Sequence, residues 1–153
     1  MDLRIVPVTK EIRKEAEQLA VAEGQEHFIE TVAECMREAD GTADWEPVCM
    51  YDGDTMIGFA MYGYMRTEKQ PRVWFDRLLI DAHYQSRGYG RQTVDAMLVR
   101  IRQEFPGKDI FISAYEDNHA AISLYQSFGF RMNGELDING ERIMVLRSGD
   151  GPA

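Results

Sequence analysis

The sequence predicts a single-domain α/β protein in which a mixed β-sheet carries helices on its faces. Short apolar or alternating stretches, typical of strands, interleave with stretches of helical spacing in the order β-α-α-β-β-β-α-β-α-β-β. The length of 153 residues suits one domain, and the sequence contains no internal repeat and no interdomain linker. We therefore expect one domain over residues 1–147 and a flexible polar tail over 148–153.

The first half of the chain predicts one strand, two helices and then three strands. Residues 3–8 alternate weakly, and Thr9 can cap a helix that Gly24 ends. A second helix follows, since apolar residues recur at helical spacing and stop before Asp40. The apolar positions of the two helices are Ile12, Ala16, Leu19 and Ala20, then Phe28, Val32, Cys35, Met36 and Ala39. Strands at 47–51 and 55–65 flank the turn sequence 52–54, and a strand at 73–80 follows.

The second half predicts an alternation of helix and strand that ends in a hairpin. An amphipathic helix runs from Val94 to Phe105 and stops at Pro106, because proline cannot continue a helix. A strand over 109–115 and a short helix between Asn118 and Gly129 come next. Strands at 130–136 and 142–146 then flank Asn139-Gly140, the strongest short hairpin signal in the chain.

Composition excludes several classes of protein. The formal charge of −9 disfavours a nucleic-acid binder, and no apolar run approaches the roughly 18 residues of a membrane span. Two cysteines and three scattered histidines give neither a disulfide framework nor metal-ligand spacing, so we expect no metal. The N-terminus lacks the pattern of a signal peptide. We therefore expect a cytoplasmic protein whose partners are cationic.

The segment Gln85-Ser86-Arg87-Gly88-Tyr89-Gly90 is the first candidate for chemistry. It lies between the end of a strand and the start of a helix, where unpaired backbone N–H groups favour a phosphate. Arg87 and Arg91 add positive charge. A dinucleotide fingerprint fails at Thr93, and a P-loop fails because the nearest lysine, Lys108, is far downstream. The alternative is a tight turn that binds no ligand.

Two motifs together resemble the GNAT family of N-acetyltransferases. The glycine-containing segment after an apolar strand is similar to that family's acetyl-CoA motif, and residues 118–130 resemble its second motif. The branch that acetylates spermine and spermidine is the most similar, on 72–77, 60–63 and 134–141. The resemblance implies a sheet splayed between its two central strands, a C-terminal β-hairpin and a homodimer. It also implies a cytoplasmic enzyme that uses acetyl-CoA.

The resemblance further implies a role for individual residues. The pantetheine arm would lie between two splayed strands, with the N–H of Ile80 stabilising negative charge on the thioester oxygen. The residues expected to bind the cofactor are Leu78, Ile80, Gln85, Ser86, Arg87, Gly88, Tyr89, Gly90, Arg91 and Asn118. Asn118 is equally suited to capping a helix, and both roles are compatible.

Tyr125 and Asp76 are the expected acid and base. A phenol with a pKa near its ordinary value of ~10 can protonate the departing thiolate, whose pKa is ~8.5. The alternative for Tyr125 is a half-buried core residue. Asp76 would deprotonate or anchor the amine, directly or through water, and alternation would place it on the face of Ile80 and away from Arg77. The alternative for Asp76 is an ordinary ion pair.

An acidic segment supplies the candidate substrate-binding residues. Residues 23–46 contain eight acidic residues and one basic residue, and Glu26, Glu30, Glu34 and Glu38 would form one row on a continuous helix. The candidate substrate-binding residues are Glu26, Glu30, Glu34, Asp76 and Glu116. A row that lies away from the apolar stripe is also typical of a solvated helix face.

The function predicted is therefore acetyl transfer from acetyl-CoA to a primary amine of a small polycation, by direct transfer in a ternary complex. Spermidine and spermine are the expected substrates, without a metal, a nucleic acid or a membrane. One alternative is a GNAT enzyme that acetylates an aminoglycoside or a protein amine. Another is a regulatory module that binds acetyl-CoA or polyamine without turnover.

Overall fold

The computed structural model describes residues 2–149, and a seven-stranded mixed sheet organises them. The strand order is β1-β2-β3-β4-β5-β7-β6, with β4 and β5 parallel and all other neighbours antiparallel. The strands are β1 (Leu3–Pro7), β2 (Trp45–Asp52), β3 (Thr55–Tyr64), β4 (Val73–Ile80), β5 (Ile110–Ala114), β6 (Arg131–Leu136) and β7 (Arg142–Leu146). The α-helices in this range are α1 (Lys10–Ala16), α2 (Val32–Asp40), α3 (Tyr89–Glu104) and α4 (His119–Ser127). The predicted fold class and order of elements are confirmed.

Two hydrophobic clusters lie on the two faces of this sheet. Alternate residues of β3 enter different clusters, since Tyr62 packs with Val94 of α3 while Phe59 and Met61 pack with Cys35 of α2. This is the period-two pattern of a strand that is buried on both faces. The helices α3 and α4 therefore cover one face, and α1 and α2 cover the other.

Helix α2 begins later than its apolar spacing predicts. The side chain of Thr31 accepts a hydrogen bond from the N–H of Glu34, and the Glu34 carboxylate accepts one from the N–H of Thr31. This reciprocal capping starts the helix at Val32. Glu26–Phe28 forms a separate 3-10 turn. The prediction of a single helical row through Glu26, Glu30, Glu34 and Glu38 is therefore wrong.

Helix α1 is also shorter than its apolar spacing predicts, since it ends at Ala16 rather than continuing to Gly24. Thr9 is its N-cap residue, but the Thr9 side chain accepts no capping hydrogen bond. Leu19 still packs against the α1–α2 face of the sheet. The apolar pattern therefore located Ile12, Ala16 and Leu19 correctly, whereas Ala20 is exposed because the backbone leaves the helix before the pattern ends.

A β-bulge at Arg77 interrupts the alternation of β4. Arg77 has a φ of +58°, and the register with β3 shifts between Leu79 and Asp76. A bulge adds one residue, so the side chains beyond it change faces. Val73 and Phe75 before the bulge and Leu78 and Ile80 after it all pack in the cluster of α3.

The bulge overturns two predictions that rested on strict alternation. Asp76 and Ile80 do not share a face of the strand, although both line one cavity. Arg77 is not separated from Asp76 either, because both residues line that cavity and the charge of Arg77 acts on the Asp76 carboxyl.

The sheet is splayed at its centre, between β4 and β5. Their pairing is limited to Val73 with Ile110 and Trp74 with Phe111. Beyond these pairs the two parallel strands separate, which confirms the predicted splay. The predicted hairpin of β6 and β7 is also present.

The predicted tail at 148–153 lies mostly outside the described residues. Of these six residues only 148 and 149 are described, and the N–H of Ser148 donates to the Asp109 carboxylate at 2.8 Å. Within residues 2–149, none of the helices has the length and apolar character that crossing a membrane requires.

Candidate active site

A cavity of about 380 Å³ opens where β4 and β5 separate. The end of β4, the N-terminus of α3, one side of α4 and the loop before α2 surround it. The predicted site residues that line it are Glu30, Asp76, Leu78, Ile80, Gln85, Ser86, Tyr89, Gly90, Asn118 and Tyr125. Those that lie outside its lining are Glu26, Glu34, Arg87, Gly88, Arg91 and Glu116. The structure thus gathers the catalytic candidates and most of the cofactor-binding candidates around one space.

The N-terminus of α3 forms one end of this cavity and is suited to an anion. Gly88 is the N-cap residue, has a φ of +84° and provides no side chain to cap the helix. The first N–H groups of any helix have no acceptor within it, and they carry the positive end of the helix dipole. A Cβ on Gly90 would meet Leu124 at 3.6 Å, an ordinary contact, so the protein itself leaves this position open.

The backbone of Ile80 is directed into the gap between β4 and β5. The N–H of the next residue, Asp81, donates to the carbonyl of Ile57 just before Gly58 of β3. Because neighbouring residues of a strand point their backbone groups to opposite edges, those of Ile80 point away from β3. The Ile80 carbonyl accepts instead from the side-chain amide of Gln85 at 3.0 Å. This leaves the N–H of Ile80 facing the side where β5 has separated.

The polar residues near the α3 end mostly hold the loop in place. The Gln85 amide also donates to Gln25 at 3.0 Å, and Asn118 caps α4 by accepting the N–H of Ala121. The guanidinium groups of Arg87 and Arg91 lie over the rings of Tyr84 and Phe128, respectively. The capping role predicted for Asn118 is confirmed, while its contact with a cofactor stays a prediction.

Tyr125 is buried on α4 and also lines the cavity, with 6% of its surface exposed. Its ring packs edge-on against Phe130 at a centroid distance of 6.1 Å. Burial, and then the charges of Asp76 and Glu141, raise the pKa of the phenol above its ordinary value. The Tyr125 hydroxyl therefore holds its proton at neutral pH and can act as a donor.

Asp76 also lines the cavity, at the bulge of β4. Burial raises the pKa of its carboxyl to about 6, although the positive charge of Arg77 and the hydrogen bond from the Arg77 N–H act in the opposite direction. A carboxylate with a pKa near the working pH is suited to accept a proton. The structure thus places a proton donor and a proton acceptor around one cavity.

The acidic residues that were predicted to bind the substrate mostly form hydrogen bonds and ion pairs within the protein. Glu30 forms an ion pair with Arg77, and a carboxylate oxygen of Glu38 lies 3.1 Å from the same guanidinium group. The Glu26 carboxylate accepts the N–H of Gly24, and that of Glu34 belongs to the cap of α2. The exposed side chain of Glu116 pairs with Arg142 at 3.3 Å. Glu30 is thus the one member of the row Glu26, Glu30, Glu34 and Glu38 that lines the cavity.

Two residues that sequence reasoning did not assign to the site, Glu141 and Ser113, also line the cavity. Glu141 is 6% exposed, and burial, together with its hydrogen bond to Asp137, raises its pKa to about 9. The Ser113 hydroxyl is buried and has no hydrogen-bond partner among the described residues. The sequence offers only a weak signal for Glu141, an acidic residue between a hairpin turn and an apolar inner strand.

Comparison with known proteins identifies the class to which this fold and cavity belong. Residues 9–130 match the model of the acetyltransferase (GNAT) family, so the chain belongs to the GNAT family and is an N-acetyltransferase. It is 40% identical over 149 residues to a protein of Bacillus subtilis subsp. natto named probable spermine N(1)-acetyltransferase. It is 39% identical to the spermine/spermidine N(1)-acetyltransferase of Bacillus subtilis strain 168. Both matches cover 95% of this chain and 98% of the relative.

Solved structures share the fold at low sequence identity. An acetyltransferase from Thermus thermophilus matches with a TM-score of 0.72 and 18% identity, over 95% of this chain and 97% of the other. A spermidine N-acetyltransferase from Vibrio cholerae, solved in complex with CoA and spermine, matches with a TM-score of 0.72 and 16% identity. That match covers 94% of this chain and 93% of the other. These likenesses show that the fold is shared.

Proposed function

We propose that the protein transfers the acetyl group of acetyl-CoA to a primary amine of spermidine or spermine, in a ternary complex. The observation that carries the proposal is one cavity that is lined both by the N-terminus of α3, which no side chain caps, and by carboxyl groups. The two Bacillus relatives, which are named for spermine acetylation and match nearly the whole chain, support the choice of amine.

The cofactor end fits the phosphates and the pantetheine arm of acetyl-CoA. The uncapped first turn of α3 would hold the pyrophosphate through backbone N–H groups, and the open position at Gly90 would let it approach. The gap beyond Trp74 would accept the extended arm beside Leu78 and Ile80. Acetyl-CoA supplies an acetyl group activated as a thioester.

The residues around the cavity provide the proton transfers and the charge stabilisation that acetyl transfer requires. An alkyl ammonium with a pKa of ~10.4 must lose a proton before it can attack, and Asp76 would accept that proton directly or through water. The N–H of Ile80 would donate to the oxygen on which negative charge develops. Tyr125 would protonate the departing thiolate.

Fewer acidic residues are in a position to bind the substrate than the acidic segment predicts. Asp76 and Glu30 line the cavity and would face a cation, whereas Glu26, Glu34 and Glu116 lie outside it. We therefore propose Asp76 and Glu30, not the whole acidic row, for binding the polyamine. The homodimer and the cytoplasmic location stay predictions.

Release of CoA thiol, measured with a panel of amines, tests this function. The panel contains spermine, spermidine, a primary monoamine, an aminoglycoside and a peptide with a free N-terminus, each at high and low salt. We expect the highest kcat/KM for the two polyamines, with a preference over the monoamine that decreases at high salt. A preference for the aminoglycoside or peptide would reject the polyamine assignment. Binding of acetyl-CoA and spermine without thiol release would indicate a regulatory module.

A further inference from the structure

The carboxyl of Glu141 is buried at the cavity wall without a cation of its own. Among residues 2–149, no side chain forms an ion pair with Glu141 within 4.0 Å, and its neighbour Arg142 pairs with Glu116 instead. Arg77 on β4, whose charge acts on Glu141, forms its ion pairs with Glu30 and Glu38. A buried carboxylate without a counter-charge is costly, so such a group holds its proton unless a ligand supplies a cation.

The fold holds Glu141 across the gap from Asp76. The residue after Glu141, Arg142, pairs with Ala114 at the end of β5, and Ser113 pairs with Ile143. Asp76 comes two residues after Trp74, the last residue of β4 that pairs with β5. The two carboxyls therefore approach the cavity from the two strands that separate, Asp76 from β4 itself and Glu141 from beside β5.

The backbone of Glu141 is fixed by Asp137, and its carboxyl lines the cavity while also hydrogen-bonding to Asp137. Its N–H donates to the Asp137 carboxylate at 2.8 Å, and its carbonyl accepts the N–H of Asp137 at 2.9 Å. The buried hydroxyl of Ser113, which has no partner, lies on the same cavity wall. The carboxyls of Glu141 and Asp76 and the hydroxyl of Ser113 thus offer three hydrogen-bonding groups. An ammonium group has three N–H donors, so the number of partners matches.

We propose that Glu141 and Asp76 form a two-carboxyl subsite that binds the reacting ammonium group and takes up its proton, with Ser113 as a third hydrogen-bond partner. This inference rests on the function proposed above and assigns a catalytic residue, Glu141, to it. An N–H bond of the ammonium breaks and an O–H bond forms on the carboxyl pair, while the electron pair stays on nitrogen. That nitrogen then bonds to the acetyl carbon as the C–S bond breaks.

The remaining protons balance in the same scheme. The thiolate takes the proton of Tyr125, and the second proton lost by the nitrogen restores the phenol. The carboxyl pair releases the first proton to solvent. Burial and then the hydrogen bond with Asp137 raise the pKa of Glu141 to about 9, and the charge of Asp76 acts in the same direction. Burial raises the pKa of Asp76 to about 6, so the pair holds about one proton at neutral pH. An ammonium that binds there should displace this proton.

Several other groups face Glu141 and enter any pH dependence. They are Asp76 and Arg77 from β4, Asp137 from its own hairpin, Tyr125 from α4 and Tyr115 after β5. Asp76 and Tyr125 line the cavity together with Glu141, whereas Asp137 lies outside the cavity lining. A test must therefore separate Glu141 from the other carboxyls of its hairpin.

Calorimetry of spermine binding in the presence of saturating CoA, in buffers of different ionisation enthalpy, counts the protons displaced. At neutral pH we expect the wild type to release close to one proton per spermine and Glu141→Gln to release almost none. Glu135→Gln is the matched control, because Glu135 lies on β6 of the same hairpin but outside the cavity, paired with Arg72. We expect it to behave as the wild type.

Kinetics provide a second readout. We expect Glu141→Gln to lower kcat/KM for spermine roughly 10²-fold, leave the KM for acetyl-CoA unchanged and remove one ionisation from the pH profile, while Glu141→Asp recovers part of the rate. Equal proton release and equal pH profiles in Glu141→Gln and Glu135→Gln would overturn the subsite and leave the proposed function standing. A wild type that releases no proton would overturn it even if the variant fails to fold. A wild type that neither binds nor acetylates spermine would reject both proposals.

Discussion

The two ends of the cavity are built from different parts of the chain. At the α3 end the groups suited to binding are backbone N–H donors that follow one another in sequence, at the start of a single helix. At the carboxyl end they are side chains from separate elements: Asp76 from the bulge of β4, Glu30 from the loop before α2, and Glu141 from the hairpin. One end depends on local conformation, and the other depends on how distant segments pack.

This difference separates two kinds of functional change. Substitutions at the α3 end should alter cofactor affinity whatever the amine, because backbone donors recognise phosphate and not the substrate. Substitutions at the carboxyl end should alter rate, pH dependence and the choice of amine at constant cofactor affinity. Tyr125 lines the same cavity and should affect the chemical step alone.

Replacement of Tyr125 by phenylalanine should have the largest effect. Tyr125→Phe keeps the packing against Phe130 and removes the proton donor, so we expect kcat to fall roughly 10²–10⁴-fold with unchanged thermal stability. Tyr64→Phe, at a tyrosine outside the cavity, is the control. A kcat within a few-fold of wild type, with chemistry shown to be rate-limiting, would make Tyr125 a core residue only.

Replacement of Asp76 by asparagine should lower activity and raise stability together. Wild-type kcat/KM should decrease tenfold per pH unit below about pH 6, where Asp76 becomes protonated, and the variant should lack this limb. The folded pKa exceeds the ordinary value of 3.8, so wild-type stability decreases as pH rises between the two values. Asp76→Asn should therefore resist urea better than wild type at neutral pH. Lower stability with the acid limb retained would contradict both statements.

Replacement of Gly90 by alanine should weaken the cofactor end specifically. The added Cβ meets Leu124 at an ordinary 3.6 Å, so the variant should fold, but the methyl group would occupy the approach to the α3 backbone. We expect CoA affinity, measured by calorimetry, to fall roughly tenfold, or about 1.4 kcal/mol. Gly41→Ala, where the nearest atom lies at 3.5 Å and which is outside the lining of the cavity, should bind CoA normally. Full CoA affinity in Gly90→Ala would argue against a pyrophosphate at this turn.

The smallest effect is expected from two glutamates that share one arginine. Glu30→Gln and Glu38→Gln each remove an ion pair with Arg77, yet only Glu30 lines the cavity. Glu30→Gln should raise the KM for spermine roughly two- to fivefold at low salt, which corresponds to about 0.5–1 kcal/mol for a partly exposed pair. Glu38→Gln should not raise it. Equal effects of the two changes would show that both act only through Arg77.

The same difference decides how much could be predicted from the sequence. The order of elements, the hairpins, the splayed sheet and the glycine turn at α3 follow from local patterns and from the family resemblance, and the structure has them. The bulge at Arg77 could not be predicted, because a non-glycine residue at φ +58° is held there by its surroundings. Glu141 was missed because only the packing of the hairpin beside β5 brings it to the cavity.

The acidic segment shows a second limit of pattern reading. Repeats at four-residue spacing predicted a continuous helix, but Thr31 and Glu34 together form a cap, and a cap sets where a helix begins. Spacing alone therefore placed Glu26 and Glu34 on the same surface as Glu30, although only Glu30 of these three lines the cavity. The capping pair was visible as Thr-x-x-Glu and outweighed the periodicity.

The sparse pairing of β4 with β5 has a consequence for how the protein unfolds. Two residue pairs join the halves of the sheet, but one hydrophobic cluster spans them, with Phe75 of β4, Ile112 of β5 and Leu98 of α3 packed together. Side-chain packing rather than backbone pairing thus couples the halves, so they should melt in one cooperative transition. Amide hydrogens on the open edge of β4, such as that of Ile80, should nevertheless exchange with solvent long before that transition. A ligand arm in the gap should slow their exchange more than it slows that of any other strand.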